Sequence, residues 1–222
     1  MSRVVSLNRN MIKSNKLFFG IFLLYLFHVS AMIGVTLGFD DWFIQKTPLN
    51  LSLMFGLLIW LFPIDSLKKI IASAVFFGSG MFVEWLGVNF GLLFGTYAYG
   101  ENLGLKIGGV PLLIGINWAI LVLITGEISN KIQVPKWVKV LIGAALMVLL
   151  DFFMEVPAPI FDFWTFEGGV APLSNYIAWF GIACLLHALF QGLKIEGNFK
   201  FSLHLYICQF LFFAYFYGYY SV

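Results

Sequence analysis

The sequence has few charged residues and few cysteines. Only 11% of its 222 residues are Asp, Glu, Lys or Arg, whereas a soluble domain has about a quarter. Cysteine occurs twice, at Cys184 and Cys208, and each lies inside an apolar run, which excludes a secreted module held together by disulfides. The net charge of +2 is too small to indicate nucleic-acid binding. These shortages exclude a soluble globular enzyme and a disordered chain.

The sequence is instead dominated by long apolar runs, and 61% of its residues are hydrophobic. Because about twenty apolar residues cross a bilayer as a helix, the runs predict an all-α polytopic membrane protein with seven transmembrane helices. We expect one integral-membrane helical domain over residues 1–222. The predicted spans are Leu17–Phe39, Leu49–Phe62, Ile70–Phe94, Val110–Thr125, Val138–Val156, Asn175–Gly192 and Ser202–Tyr219.

The distribution of Lys and Arg predicts the orientation. With seven spans, eleven of the thirteen fall on one side, and only Lys46 and Lys106 fall on the other. The positive-inside rule makes the first side cytoplasmic, so we expect the N-terminus inside, the C-terminus outside, and a location in the cell (cytoplasmic, inner) membrane. The outer connections Gly95–Gly109 and Pro157–Ser174 are then expected to fold over the helix ends as a lid.

Ionisable side chains within a span are candidates for function, because burying a charge in hydrocarbon is costly. With a rise of about 1.5 Å per residue, Glu84, Asn117 and Asp151 all lie about 20 Å above the inner boundary of a core about 30 Å thick. Asp151 and Glu155 are four residues apart and share a helix face. Three polar positions on three helices are therefore predicted to meet in the outer half of the membrane.

These carboxyls form either a structural hydrogen-bonded cluster or a reactive site. A single buried acid would suit the first interpretation. Two or three acids at one depth, without a buried Lys or Arg, predict that at least one is protonated at neutral pH and favour a role in proton transfer. His28 and His187 are interpreted as core residues, and no spacing of His, Cys and acids is typical of a metal site, although acids alone can hold a cation.

A stripe of small residues accompanies Glu84. Gly87, Gly91 and Gly95 follow it at offsets of three, seven and eleven, which would place all of them on one face of a continuous helix. Such a stripe is typical of close helix packing and also compatible with a smooth groove for an elongated apolar ligand.

The polar and aromatic positions fall within ordered motifs that resemble the carotenoid biosynthesis proteins, a membrane family that includes carotenoid 1,2-hydratases of the bisanhydrobacterioruberin hydratase type. The motifs are FVEWLGVNFGLLFGTYAY at 82–99, GVPLLIGINW at 109–118, LDFFMEVP at 150–157, FW at 163–164 and PLSNYIAWF at 172–180. The resemblance covers residues 70–182.

The resemblance implies that water is added to the terminal double bond of an acyclic or monocyclic carotenoid end group to give a tertiary alcohol. This chemistry needs a proton donor and one positioned water, and no cofactor. The expected catalytic residues are Asp151 and Glu84, with Glu155 in support. The expected substrate-binding residues are Asn117, Trp118, Tyr97, Tyr99, Trp164, Asn175, Trp179, Gly87 and Gly91.

Other functions stay open from the sequence alone. A carotenoid end-group cyclase would use the same protonation, but an internal double bond would capture the cation. A transporter of protons or lipids would also suit buried acids. A seven-helix retinal protein is disfavoured, because it needs a Lys in the last span and none follows Lys200. The expected partners are a lipid-soluble carotenoid and membrane lipid, and association with other carotenoid-pathway enzymes stays open.

Overall fold

The chain folds mainly into helices. The structure is a computed structural model that describes the backbone of residues 2–221 and the side chains of residues 14–221. The side chains of Arg3, Arg9 and Lys13, which the predicted orientation counts, lie outside this range. The helices are α1 (Ser2–Thr36), α2 (Asp40–Ile44), α3 (Thr47–Leu61), α4 (Leu67–Phe90), α5 (Leu112–Asn130), α6 (Lys136–Met154), α7 (Pro157–Ile160), α8 (Leu173–Gly192) and α9 (Phe199–Tyr220).

Within this described part, six helices are long and apolar enough to cross a membrane: α1 (through Ser14–Thr36), α4, α5, α6, α8 and α9. The chain is therefore a multi-pass helical membrane protein, as the apolar runs predicted. The second predicted span corresponds to α3, which has only 15 residues and rises about 22 Å. Because a hydrocarbon core is about 30 Å thick, the count of seven stays a prediction at this helix.

Helix α5 lies at the centre of the bundle. Its most apolar window is 83% buried, against 28–39% for the other five long helices, and it packs on α3, α4, α6, α8 and α9. The sequence of α5 permits this position, because it has no Lys or Arg and its one acid, Glu127, lies near the end. A helix without a polar face can be covered by other helices or face lipid in a membrane, so the contacts of α5, and not its composition, give it the central place.

Glycine allows α4 and α5 to approach closely. A Cβ at Gly80 of α4 would lie 2.5 Å from Cγ of Trp118, and one at Gly115 of α5 would lie 2.6 Å from Cγ of Met81. Trp118 of α5 therefore packs against Gly80 of α4, and Met81 of α4 packs against Gly115 of α5. This packing fixes the Trp118 ring, which is fully buried.

Helix α4 ends earlier than the sequence predicted. The third span was expected to reach Phe94, but the helix stops at Phe90, and Gly91 caps it in the left-handed conformation with φ of +65°. Gly95 also has a positive φ, of +95°, in the following connection. The prediction that Gly87, Gly91 and Gly95 continue one helix face is therefore wrong beyond Gly87, because glycine is the residue that most readily ends a helix in this conformation.

The connections 95–109 and 157–174, which we call the lid, pair with each other. Strand β1 (Tyr97–Tyr99), from the first connection, is antiparallel to β4 (Trp164–Phe166), from the second. Strands β2 (Lys106–Ile107) and β3 (Val110–Pro111) form a short hairpin in the first connection. Because side chains alternate along a strand, Ala98 and Thr165 face outward, and the four aromatic residues of β1 and β4 face the bundle.

The packing of α4 on α5 yields a first prediction. Gly80→Ala should lower the free energy of unfolding by about 1–3 kcal/mol, because the added methyl group must displace Trp118. Gly78→Ala on the same helix is the matched control, since no atom lies within 4 Å of a Cβ there. Thermal unfolding of both variants in detergent measures the difference, and equal stability would contradict the proposed close contact.

Candidate active site

Glu84 is held by three hydrogen-bond donors from the lid and the central helix. Its Oε2 accepts from the hydroxyl groups of Tyr97 and Tyr99, the latter at 2.7 Å, and its Oε1 accepts from Trp118 Nε1 at 3.0 Å. The side chain is only 3% exposed. A carboxyl group surrounded by donors alone is suited to its ionised form, which can only accept hydrogen bonds.

The lid positions the two phenols through strand geometry. Tyr97 and Tyr99 are two residues apart on β1, so both point to the same face. Opposite them, Tyr97 pairs with Phe166 and Tyr99 pairs with Trp164. Burial raises the pKa of both phenols, and the neighbouring Glu84 raises it further. Both hydroxyl groups therefore keep their protons and act as donors.

Asp151 and Glu155 form the second part of the site, at the end of α6. Asn175 of α8 joins them, because its Nδ2 lies 3.1 Å from Asp151 Oδ2 and 3.3 Å from Glu155 Oε1. Trp164 of β4 donates its Nε1 to Glu155 Oε2 at 3.1 Å. The predicted common face is confirmed, since both acids contact the same amide.

Proline explains where these acids lie. Pro157 and Pro159 start the short helix α7 and have no N–H with which to continue the hydrogen bonds of α6. Helix α6 therefore ends at Met154, and Glu155 is its C-cap with helical φ and ψ. Asp151 remains inside the helix, four residues back, while Glu155 reaches the lid.

The three acids surround a small chamber of about 30 Å³, which we call the acid chamber. This volume is enough for about one water molecule. Because no Lys, Arg or His lines the chamber, the three carboxyls have no cationic partner there. Its walls consist of Glu84, Phe94, Tyr97, Tyr99, Ile114, Asn117, Trp118, Asp151, Met154, Glu155, Trp164, Phe166, Asn175 and Trp179.

Aromatic rings form much of the wall of the acid chamber. Trp118 and Trp179 are stacked, with ring centroids 4.0 Å apart and planes at 15°. Tyr97 lies against Phe166 with centroids 5.2 Å apart. Ring faces carry partial negative charge and attract cations, so such a wall can stabilise a positive centre without supplying a competing base.

A second and larger cavity of about 300 Å³ adjoins the acid chamber. We call it the apolar cavity, because side chains such as Val35, Met54, Phe212 and Phe213 form most of its wall. Its lining includes exposed residues of α1 and α3, such as Phe27 and Leu49, so it reaches the lipid-facing surface. The residues that line both cavities are Ile114, Asn117, Met154 and Trp164.

The structure brings most of the predicted site residues together. The three predicted acids line the acid chamber, as do Asn117, Trp118, Tyr97, Tyr99, Trp164, Asn175 and Trp179. Gly87 and Gly91 line neither cavity. Gly87 lies under the lid, where a Cβ would be 2.7 Å from the Tyr97 hydroxyl oxygen, and Gly91 caps α4. The structure therefore does not place either glycine at a cavity in which it could contact a ligand.

Sequence reasoning missed the apolar cavity. It is built largely from α1, α3 and α9, which carry none of the quoted motifs. Polar residues inside apolar helices could have indicated it, since His28, Asn50 and Gln209 all line it. From the sequence alone, His28 is interpreted as an ordinary core residue, because a single histidine has no spacing pattern that would show a cavity. Among residues 14–221, no group of three or more His, Cys, Asp or Glu is arranged to hold a metal ion.

Comparison with protein-family models matches residues 48–220 to the family described as carotenoid biosynthesis protein. The match includes both connections of the lid and every residue of the acid chamber. It also extends beyond the quoted motifs into α3 and α9. Comparisons with curated proteins and with solved structures find no match.

The donors around Glu84 yield a second prediction. Tyr99→Phe removes a hydrogen bond to a buried carboxyl group, so it should cost about 1.5–3 kcal/mol of stability. Tyr206→Phe is the control, because its hydroxyl group donates to the neutral Leu146 carbonyl at 2.9 Å and should cost about 0.5–1.5 kcal/mol. Unfolding of both in detergent measures the two losses. A smaller loss in Tyr99→Phe than in Tyr206→Phe would show that Glu84 does not depend on this donor.

Proposed function

Because the chain belongs to the carotenoid biosynthesis protein family, we propose that it is a carotenoid hydratase. The enzyme adds water across the terminal C1,2 double bond of an acyclic or monocyclic end group and gives a tertiary alcohol. The observation that carries this proposal is the water-sized acid chamber, with three carboxyls and no cation, beside an apolar cavity that reaches the lipid-facing surface. One compartment suits water and proton transfer, and the other suits the hydrocarbon.

The reaction begins with protonation of the alkene. Asp151 is the proposed donor, because the hydrogen bond that it accepts comes from Asn175, whereas Glu84 accepts from three groups. A carboxyl with few donors is the easier one to keep protonated in an apolar site. The proton goes to C2 of the end group, the π electrons form the new C–H bond, and C1 becomes a tertiary cation.

The cation is then stabilised and captured. Glu84, ionised and fixed by its donors, lies across the acid chamber, and the aromatic wall contributes about 0.5–2 kcal/mol for each well-placed ring. Water held by Asn117 and Asn175 attacks C1, and Glu155 accepts the proton that the water releases. Transfer of this proton to Asp151, on the other side of Asn175, restores the starting state.

This division of roles resembles that of a glycosidase, in which one carboxyl donates a proton and another stabilises a positive centre. No electron is transferred, so the proposed enzyme is a hydro-lyase that works without a cofactor. The products also distinguish it from the alternatives. A cyclase gives an isomer of the substrate, whereas a transporter gives no new compound.

The same proposal includes the membrane topology: seven spans in the cytoplasmic membrane, with the N-terminus inside. Contacts at the inner end support a crossing by the short helix α3. Lys16 Nζ of α1 lies 5.7 Å from the ring centroid of Trp60, close to the end of α3. Phe62 packs against Gly197 in the α8–α9 connection. Helix α3 thus reaches the level of the basic residues that flank the other spans.

Replacement of the acids tests the chemistry. In lycopene-accumulating cells, Asp151→Asn and Glu84→Gln should each lower conversion by about 10²–10⁴-fold, as expected for loss of a general acid or its charged partner. Glu155→Gln should lower it less, since another group can accept the proton from water. Pigment mass and incorporation of oxygen from labelled water measure the hydrated product.

Glu127→Gln is the matched control for these replacements. Glu127 is also buried, at 1% exposure, but it accepts the backbone N–H of Gly197 at 2.8 Å, outside the acid chamber. The glutamine side chain can still accept this hydrogen bond. Because Glu127 takes no part in the proposed reaction, conversion by Glu127→Gln should stay within about twofold of that of the original protein. Full conversion by both Asp151→Asn and Glu84→Gln would overturn the proposed roles, and an isomeric product would indicate a cyclase.

Reporter fusions test the topology. An enzyme that is active only outside the cytoplasm should be active when fused after Val222, and a fluorescent protein that folds only in the cytoplasm should be bright when fused before Met1. Seven spans place the termini on opposite sides, whereas six place them on the same side. Equal behaviour of the same reporter at both ends would therefore show that α3 does not cross.

A further inference from the structure

The apolar cavity opens sideways, between α1 and α3. Phe27 of α1 and Leu49 of α3 line the cavity, and they are 38% and 65% exposed. Trp42 of α2, the short helix between α1 and α3, also lines the cavity and is exposed. Side chains that line a cavity and also reach the surface mark its mouth. The mouth therefore lies where these two helices face lipid.

Close contacts bound this mouth at both ends. At the inner end, the Leu61 side chain of α3 packs on Gly20 of α1 and leaves no room for a Cβ there. At the outer end, the Phe43 ring of α2 packs on Gly34 of α1 in the same way. The two glycines are 14 positions apart, which corresponds to a rise of about 21 Å. The mouth is thus a window of limited height and not a general separation of the two helices.

The window lies at the depth expected for the acids. Ala31 lines the cavity on the α1 side and is 14 positions beyond Leu17, where the first span is expected to begin. It therefore lies about 21 Å above the inner boundary, and the same rise per residue puts Glu84 and Asp151 about 20 Å above it. A chain that passes through the window can reach the acid chamber without changing its depth in the bilayer.

The contact between α1 and α3 can widen more easily than the contact between α1 and α9. Tyr25 Oη of α1 lies 3.0 Å from His204 Nδ1 of α9, and Thr36 Oγ1 lies 2.8 Å from Tyr215 Oη. Within residues 14–221, no side-chain hydrogen bond joins α1 to α3. Apolar helix faces that separate in a bilayer become exposed to lipid tails and not to water, so their separation costs little free energy.

The size of the apolar cavity requires an opening of this kind. A volume of about 300 Å³ holds about ten groups of the size of water or methylene, and a carotenoid chain is several times longer. Only the reacting end of such a chain fits inside, so the remainder must pass through the wall. The window between α1 and α3 provides this passage.

Building on the proposed function, we infer that α1 and α3 form a lateral portal for the polyene, bordered by Phe27, Ala31, Trp42 and Leu49. The end of the polyene enters through the portal from the outer half of the bilayer, and the adjoining chain lies in the portal while the end reacts. The tertiary alcohol leaves by the same portal, since the rest of its chain has stayed in lipid. The alternative route leads from the outer aqueous side past the lid and would leave Leu49 free in the complex.

Protection of a thiol at the portal tests this inference. In purified full-length protein with Cys184→Ala and Cys208→Ala, the thiol of Leu49→Cys is labelled with a maleimide, and mass spectrometry follows the rate. Lycopene at about ten times its Kd should slow labelling about tenfold, because only the unoccupied fraction has a free portal. A diene of about ten carbon atoms with the same terminal double bond fits wholly inside the cavity. It should slow labelling less than about twofold, since it leaves the portal empty.

Leu37→Cys in the same background is the matched control. Leu37 directly follows α1 and is 68% exposed, much like Leu49, but it does not line the apolar cavity. Lycopene should leave its labelling rate unchanged. Equal protection of both thiols, or no protection of Leu49→Cys at saturating lycopene, would overturn the inference.

Product analysis separates this inference from the proposed function. If lycopene protects Leu49→Cys but no hydrated pigment forms, the proposed reaction fails and the portal stands. If hydrated pigment forms while saturating lycopene leaves Leu49→Cys unprotected, the reaction stands and the polyene enters by another route.

Discussion

A carboxyl group without a cationic partner can remain buried in a membrane protein only if hydrogen-bond donors hold it or if it keeps its proton. The donors around Glu84 provide the first solution, and we propose the second for Asp151. Glu84 receives donors from β1 and α5, while Asp151 shares only Asn175 with its neighbour Glu155. This difference between a fully satisfied acid and a sparsely satisfied one, with no cation in the acid chamber, is the basis on which we propose different roles for the two carboxyls. The proposed chemistry depends on that contrast.

The lid and the central helix maintain the difference in hydrogen bonding between Glu84 and Asp151. Tyr97 and Tyr99 reach Glu84 because β1 pairs with β4, and Trp118 reaches it because Gly80 lets α5 approach α4. Glu155 depends on the same lid through Trp164. The lid therefore supplies donors to acids on two helices at once. Movement of the lid would affect both acids together.

The two cavities differ in polarity and therefore suit different reactants. The acid chamber is large enough for about one water molecule, while the apolar cavity reaches the lipid-facing surface and suits a hydrocarbon chain. In the proposed reaction, a polyene enters from the bilayer and presents only its end at the shared wall, so that few waters are near the cation and one of them captures it.

Some of this could be predicted from the sequence, and some could not. Long apolar runs are enough to predict a multi-pass helical protein, because a single segment can satisfy all its backbone hydrogen bonds in hydrocarbon only as a helix. The constant rise per residue of a helix was enough to predict that Glu84, Asn117 and Asp151 lie at one depth. The end of α4 at Phe90 was missed, because a glycine within an apolar run is compatible with both a helix and its cap. The pairing of β1 with β4, the donors to each acid and the apolar cavity of α1, α3 and α9 were decided only in the tertiary structure. They join residues far apart in the chain, and a single sequence contains no local signal for such contacts.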